Sequence, residues 1–136
     1  MSLQRTFAII KPHSVAEGHS ADIIKVIELN GFTIVGMEKK QLDKATAQAF
    51  YAVHSERPFF GELVDNISSG PAIVMALEGE NAIKEWRDLM GPTNPVGAPA
   101  GTLRRMFGKN ISYNAVHGSD APETAATELK LFFPGL

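Results

Sequence analysis

Apolar and polar positions along the chain fall into blocks of two distinct periods. Thr6 to Ile10 is a nearly unbroken apolar run, which predicts a buried strand stopped by Pro12. Ile23, Ile24 and Ile27 then recur at helical spacing behind Ser20-Ala21-Asp22, which is expected to cap that helix, and Asn30-Gly31 ends it. The β-branched and aromatic segment Phe32 to Met37 predicts a second strand. Asp43 opens a helix carrying Ala47, Phe50 and Tyr51, and Pro58 breaks the run. Phe60 to Ile67 predicts another helix with Leu63, Val64 and Ile67 on one face, closed by the turn signal Ser69-Gly70-Pro71. Ala72 to Leu77 is the third strand. Asn81 is expected to cap a helix that turns Ile83, Trp86 and Met90 inward, and Gly91-Pro92 terminates it.

From Gly91 to Tyr113 the chain is rich in glycine and proline and its periodicity fades, apart from a helical turn over Thr102 to Phe107. Long loops in compact domains are usually functional or disordered. This one carries Thr93, Arg104 and Ile111, which favours function. A short strand around Ala115 follows, and then a last helix through Phe132, with Pro122 in its first turn and Asp120 and Glu123 as a reciprocal cap. The order is βαβ, then βαβ with inserted helical pieces. It predicts an α+β sandwich with helices packed on one sheet.

Composition narrows the setting. A chain of 136 residues with 44% hydrophobic content fits one domain, 1–136, with an ordinary core. Its net charge of −2, with signs interspersed, provides no basic field for wrapping nucleic acid, so an anion must be gripped by a local cluster. Cysteine is absent, which rules out disulfides and cysteine-ligated metal and is compatible with the cytoplasm. The longest apolar run, Ala72 to Leu77, is far too short to span a bilayer, and the first residues do not form a signal segment. A soluble, unexported protein is expected.

The segment Asn114-Ala115-Val116-His117-Gly118-Ser119-Asp120 is where a nucleophile would sit. Imidazole is largely neutral near pH 7 yet basic enough to attack phosphorus. Gly118 allows close backbone approach, and Ser119 and Asp120 suit turn and cap geometry. From local context alone, a histidine in a short polar turn is more often a surface residue. Arg87, Arg104 and Lys11 could supply positive charge to a phosphate, although Arg87 beside Asp88 also reads as a solvated helix cation. A P-loop is excluded. Gly31 and Gly36 have its spacing, but Met37 stands where lysine is needed. The four histidines show no zinc spacing, and Asn66-Ile67-Ser68 and Asn110-Ile111-Ser112 are formal sequons without meaning in a cytoplasm.

Three further segments join this one: Lys11-Pro12 after the first apolar run, Arg57-Pro58-Phe59-Phe60 after Tyr51 and His54, and Thr93-Asn94-Pro95 leading to Gly101-Thr102-Leu103-Arg104. With them the chain resembles the nucleoside diphosphate kinases, in order and in register from about Gln4 to Phe133. The resemblance implies a ferredoxin-like fold with a four-stranded antiparallel sheet and an extended loop at about 91–113. It implies transfer of a γ-phosphoryl group from a nucleoside triphosphate to a nucleoside diphosphate, through a phosphohistidine at His117 formed on the δ nitrogen. The residues themselves do not distinguish the two ring nitrogens.

By the same resemblance Glu128 orients the imidazole, Ser119 joins that network and Tyr51 lies beside His117. Lys11 and Asn114 correspond to the ligands of the ribose hydroxyls, with Lys11 also near the terminal phosphate, and Arg87, Thr93 and Arg104 to the phosphate ligands. His54 falls where some family members contact a phosphate. Phe59 and Ile111, with Leu63 nearby, match an apolar clamp that stacks on any base. Phe60 reads as core and Phe59 as partly exposed. Magnesium is expected with the nucleotide, Asp120 reaching it through water. The expected assembly is a homo-oligomer, tetramer or hexamer, with no membrane or nucleic-acid partner. Two positions depart from the family pattern: His13 replaces a commonly acidic residue, and Arg105-Met106 replaces a small and often acidic pair. The alternative of another class is a regulatory module in which His117 only holds phosphate. Its mark would be loss of the histidine or its supporting residues, and none is lost.

Overall fold

In the computed structural model, which describes residues 3–136, the two apolar runs become the central strands of one sheet. β1 (Leu3–Ile10) and β3 (Ala72–Glu80) pair antiparallel from Leu3 opposite Glu80 to Ile10 opposite Ile73. β2 (Thr33–Lys40) lies outside β3, and β4 (Val116–Gly118) lies outside β1, giving the order β2-β3-β1-β4 with every pair antiparallel. This is the ferredoxin-like arrangement. The helices are α1 (Pro12–Ala16), α2 (Ser20–Leu29), α3 (Lys44–Phe50), α4 (Phe60–Ile67), α5 (Ala82–Met90), α6 (Leu103–Phe107) and α7 (Pro122–Phe132).

The central strands are continuously apolar because both faces of the sheet are covered. Side chains alternate across a strand. Ala8 and Ile10 therefore enter a core with Ile23 and Ile27 of α2 and Trp86 and Met90 of α5, while Phe7 and Ile9 enter a second core with Ala47 and Phe50 of α3, Val64 and Ile67 of α4 and Phe132 of α7. Phe60 is half-buried against the second core, and Phe59 is exposed.

Three cap expectations are corrected. α2 is capped from His19 without a side-chain bond, and Ser20 is its first helical residue. Asn81 takes a left-handed conformation, φ 50°, and bonds no helix amide through its side chain; Gln4 of β1 instead accepts the Ile83 N–H at 3.0 Å. At α7 the Thr124 hydroxyl accepts from the Asp120 and Ala121 amides at 3.1 and 3.0 Å, because Arg87 holds the Asp120 carboxylate. Pro12 does end β1, but it also starts α1, since its fixed φ suits a first helical position. The cap expected from Asp43 is present, accepting from Thr46 at 2.7 Å, and the helical turn expected over Thr102–Phe107 forms, with Thr102 accepting from Arg105 at 3.3 Å.

Gly118 serves close packing. A methyl group built on it would lie 2.5 Å from the Trp86 ring and 2.6 Å from Met90, both buried. Gly61, in the first turn of α4, has open space at the same point. Gly118→Ala is therefore expected to cost about 1–3 kcal/mol through overpacking. Gly61→Ala should instead stabilise by roughly 0.5–1 kcal/mol, since alanine loses less backbone freedom in a helix. Urea unfolding of both variants, read by tryptophan fluorescence, checks the opposite signs.

Candidate active site

β4 follows an unusual turn. Ala115 sits at φ 73°, and the Val116 N–H bonds the Asn114 carbonyl at 2.9 Å, so the chain reverses over three residues. This positive-φ γ-turn is a strained conformation for alanine, worth about 1–3 kcal/mol. Two contacts from the end of β1 and α1 hold it: Lys11 N–H donates to the Ala115 carbonyl at 2.8 Å, and Ala115 N–H donates to His13 Nε2 at 2.9 Å.

The turn delivers His117 into a wall of rings. Phe50 stands edge-on to the imidazole at 4.8 Å between centroids, Phe7 lies 6.2 Å away, and Trp86 Nε1 donates to the His117 carbonyl at 3.2 Å. His117 Nε2 is 3.3 Å from Glu128 Oε1, and the Ser119 hydroxyl donates to that same oxygen at 2.7 Å. Glu128 is thus fixed by Ser119 and in turn fixes the ring. With Nε2–H given to Glu128, Nδ1 carries the free lone pair, and no hydrogen bond engages it among the described residues. Burial lowers the pKa of His117 below the ordinary 6.5; Glu128 opposes this, and Lys11 and Arg104 add to it. The ring is neutral at pH 7.

Positive charge gathers on the same side. Lys11 Nζ donates to Asn114 Oδ1 at 2.7 Å, and Asn114 Nδ2 donates to the Thr93 carbonyl at 3.1 Å. Burial, and then the nearby Arg104, push Lys11 down to about 7. Arg104 is itself buried, donating from Nη1 to the Gly91 carbonyl at 3.0 Å and from Nη2 to the Val116 carbonyl at 2.9 Å, while its Nε has no partner among the described residues. Burial and Arg87 push it down to about 10, against the pull of Asp120. Arg87 pairs with Asp120 at 2.6 Å on the exposed rim. Three cations whose charges oppose one another, with a buried guanidinium N–H left unpaired, form a site that an anion would stabilise.

The structure forms three hydrogen-bonded groups, His117 with Glu128 and Ser119, Lys11 with Asn114 and the Thr93 carbonyl, and Arg104 with the Gly91 and Val116 carbonyls, with Arg87 paired to Asp120 on the exposed rim. Tyr51 is buried, and its phenol is pushed above its ordinary pKa by burial and by Glu128. It shares a small cavity with Lys11 and Leu63. His54 packs between the rings of Tyr51 and Phe59, with centroids at 6.4 and 5.8 Å, away from the histidine network. Phe59 and Ile111 are 46% and 59% exposed. Ser112, next to Ile111, bonds Glu62 of α4, and Asn66 reaches the Ser112 carbonyl at 3.5 Å, which ties the loop to the helix that begins after Phe59.

The sequence marked Phe50 and Trp86 as inward helix residues without connecting them to His117. Their part in the site follows from strand pairing, because Ile9 lies opposite His117. The role of His13 was also missed, although its departure from the expected acidic residue was the signal.

The profile of the nucleoside diphosphate kinase family matches residues 4–136. The chain belongs to that family. It is 58% identical over 134 residues to the nucleoside diphosphate kinase of Pelobacter propionicus and 54% identical to that of Desulfotalea psychrophila, each match covering 98% of both chains. Among solved structures, the nucleoside diphosphate kinase of Aquifex aeolicus gives a TM-score of 0.97 at 38% identity, covering 98% of this chain and 97% of that one. The halophilic enzyme from Halobacterium salinarum, in complex with CDP, gives 0.93 at 37% identity, covering 97% and 88%. The chain is therefore an enzyme, a nucleotide-binding phosphotransferase of the nucleoside diphosphate kinase family.

In this family member Glu128 is the one neighbour that favours a proton on His117. Glu128→Gln keeps an acceptor for Ser119 but removes that charge, so the folded pKa of His117 should fall further. Its titration then moves to lower pH. Histidine ring resonances followed by NMR against pH check this; an unchanged or raised midpoint contradicts it.

Proposed function

We propose that the enzyme works by a two-step exchange through His117. The observation that carries this reading is the orientation of the ring, with Nε2 turned to Glu128 and Nδ1 left free on a side charged by Lys11 and Arg104. In the first step the Nδ1 lone pair forms a bond to the γ-phosphorus of a nucleoside triphosphate, the bond to the β-bridging oxygen breaks, and the nucleoside diphosphate leaves. In the second, a terminal phosphate oxygen of a different diphosphate takes the phosphoryl group and the Nδ1–P bond breaks. Donor and acceptor anhydrides are nearly equal in energy, so a labile P–N bond keeps both steps balanced, where a serine ester would be a trap.

Each side chain has a task in this scheme. Phosphoryl transfer depends on positioning and on positive charge around the equatorial oxygens. Arg104, Arg87 and Thr93 hold the phosphates, and Lys11 and Asn114 the ribose hydroxyls, with Lys11 reaching the terminal phosphate. His54 stands at the outer edge of the phosphate path. Glu128 stabilises the imidazolium-like charge that develops on the ring, with Ser119 fixing the carboxylate and Tyr51 lying beside the ring. Asp120 gives one oxygen to Arg87, and among the described residues no cluster of His, Cys, Asp and Glu could hold a metal unaided. That donor set fits magnesium carried in by the nucleotide, with Asp120 behind a water. When bound, the ion would neutralise charge on the β- and γ-phosphates. The enzyme is proposed to act as a cytoplasmic homo-oligomer, tetramer or hexamer; no helix among the described residues is long and apolar enough to cross a membrane.

Incubation with ATP labelled at the γ position should leave an acid-labile, alkali-stable label on His117, which a different diphosphate discharges. Double-reciprocal plots should be parallel. His117→Ala retaining normal exchange would sink the mechanism, and a site that binds nucleotide without labelling would mark a binding module instead.

Phe59 and Ile111 offer flat apolar contact and no base-edge hydrogen bonds, and Leu63 backs them from α4. Purine and pyrimidine diphosphates should all be accepted, with kcat/KM values spread over much less than the factor of about 10⁴ that dedicated hydrogen-bond recognition produces. A preference on that scale for one base, measured with the four common diphosphates under one donor, contradicts the clamp.

A further inference from the structure

Neither the proposed reaction nor the grip on phosphate uses His13, the residue where the chain first leaves the family pattern. Both of its ring nitrogens are engaged. Nε2 accepts the Ala115 N–H at 2.9 Å, and Nδ1 lies 3.3 Å from Glu17 Oε1. One nitrogen accepting while the other donates is the neutral imidazole. A protonated ring donates from both, and the buried Ala115 N–H then faces a donor.

Ala115 is badly placed to lose that partner. It holds the left-handed γ-turn, its carbonyl receives the Lys11 amide, and its neighbours carry the site: Asn114 grips Lys11 Nζ, and the Val116 carbonyl receives Arg104. We propose that His13 is a positioning residue whose neutral ring keeps the Ala115 turn closed, and that protonating it slackens the Lys11–Asn114 grip on nucleotide. The chain thereby acquires an acid-side loss of affinity separate from the titration of His117. This rests on the nucleotide roles proposed above for Lys11 and Asn114.

The charges around the ring set where this happens. Glu17, the C-cap of α1, faces Nδ1 and favours the proton; Lys11 before α1 and Lys109 from the loop, which pairs with Glu17 at 2.7 Å, disfavour it. Lys39 of β2 lines the same surface depression, and Tyr113 stands edge-on to the ring at 5.4 Å. Burial is the largest influence and lowers His13 below the ordinary 6.5. The bond to Ala115 is therefore complete above that value and is lost as pH falls through the lower folded pKa. An acidic residue at this position would remain an acceptor down to about pH 4, whereas an imidazole starts from the ordinary 6.5, which burial lowers here.

Two measurements test this on the intact enzyme. NMR titration between about pH 8 and 5, across the histidine range, should show the Ala115 amide moving with the same midpoint as the His13 ring. Kinetics should show the KM for nucleoside diphosphate rising on acidification in the natural chain. His13→Gln carries an acceptor that does not titrate, so its KM should stay within about threefold of the natural value at neutral pH and lack the additional acid rise. His13→Phe has no acceptor, and its KM should be raised roughly tenfold already at neutral pH, with kcat changed less. The inference is overturned if the Ala115 amide ignores the His13 titration, or if His13→Gln keeps the full acid rise. The titration needs no turnover and stands even if His13→Phe fails to fold. Absence of any exchange by the natural chain would instead refute the proposed reaction.

Discussion

The site depends on one short pairing, that of Ala8, Ile9 and Ile10 of β1 with Gly118, His117 and Val116 of β4. Three residues are a weak strand by themselves, since a ladder that short makes few hydrogen bonds. What holds this one is contact on every side. Gly118 lies against Trp86 and Met90, Trp86 bonds the His117 carbonyl, Ser119 exchanges hydrogen bonds with the backbone of Phe7, and Arg104 takes the Val116 carbonyl. His117 is consequently held firmly against the central strand β1, although it lies on the edge strand next to a long loop. Such rigidity is what proton placement on an imidazole requires, because an ångström of drift at Nε2 would release Glu128.

The strand and helix order was legible in the sequence because periodicity and punctuation agreed. The runs Thr6–Ile10 and Ala72–Leu77 became the two central strands, and the inward sets of α2, α4 and α5 were read correctly. The failures were at helix starts, where a local sequence does not reveal which distant group supplies the acceptor. Gln4 reaches Ile83 across 79 positions, and Arg87 draws Asp120 away from α7. The second strand also ran on to Lys40, because its charged end pairs with β3 without needing burial.

The site was legible in a different way. The turn residues around His117 were visible locally, but their reading as a site came only with the other three segments, and Glu128 is an ordinary helix carboxylate until α7 packs on β1 and brings it to the ring. Phe50 and Trp86 behaved as core residues in the sequence and are core residues in the structure; that Phe50 also packs on the His117 ring and Trp86 holds the His117 carbonyl from the other core is a consequence of topology. His13 shows the limit most clearly. Its bond spans 102 positions to a backbone N–H, and nothing in the local pattern of Lys11-Pro12-His13 points to Ala115.

Arg104 shows how one side chain serves both structure and chemistry. Its two carbonyl acceptors, Gly91 and Val116, lie at opposite ends of the long loop, so the guanidinium staples the loop shut from inside. A guanidinium has five N–H donors, and two are used in this way. The rest include the buried Nε, which has no partner among the described residues. On the phosphate role proposed above for Arg104, the two carbonyl bonds and an oxyanion contact would draw on different N–H groups. A lysine at this position would have three donors on a single point and would have to choose between the carbonyls and the phosphate. The fork geometry of arginine lets one buried guanidinium hold both ends of the loop and, in the proposed reaction, still present N–H groups to phosphate.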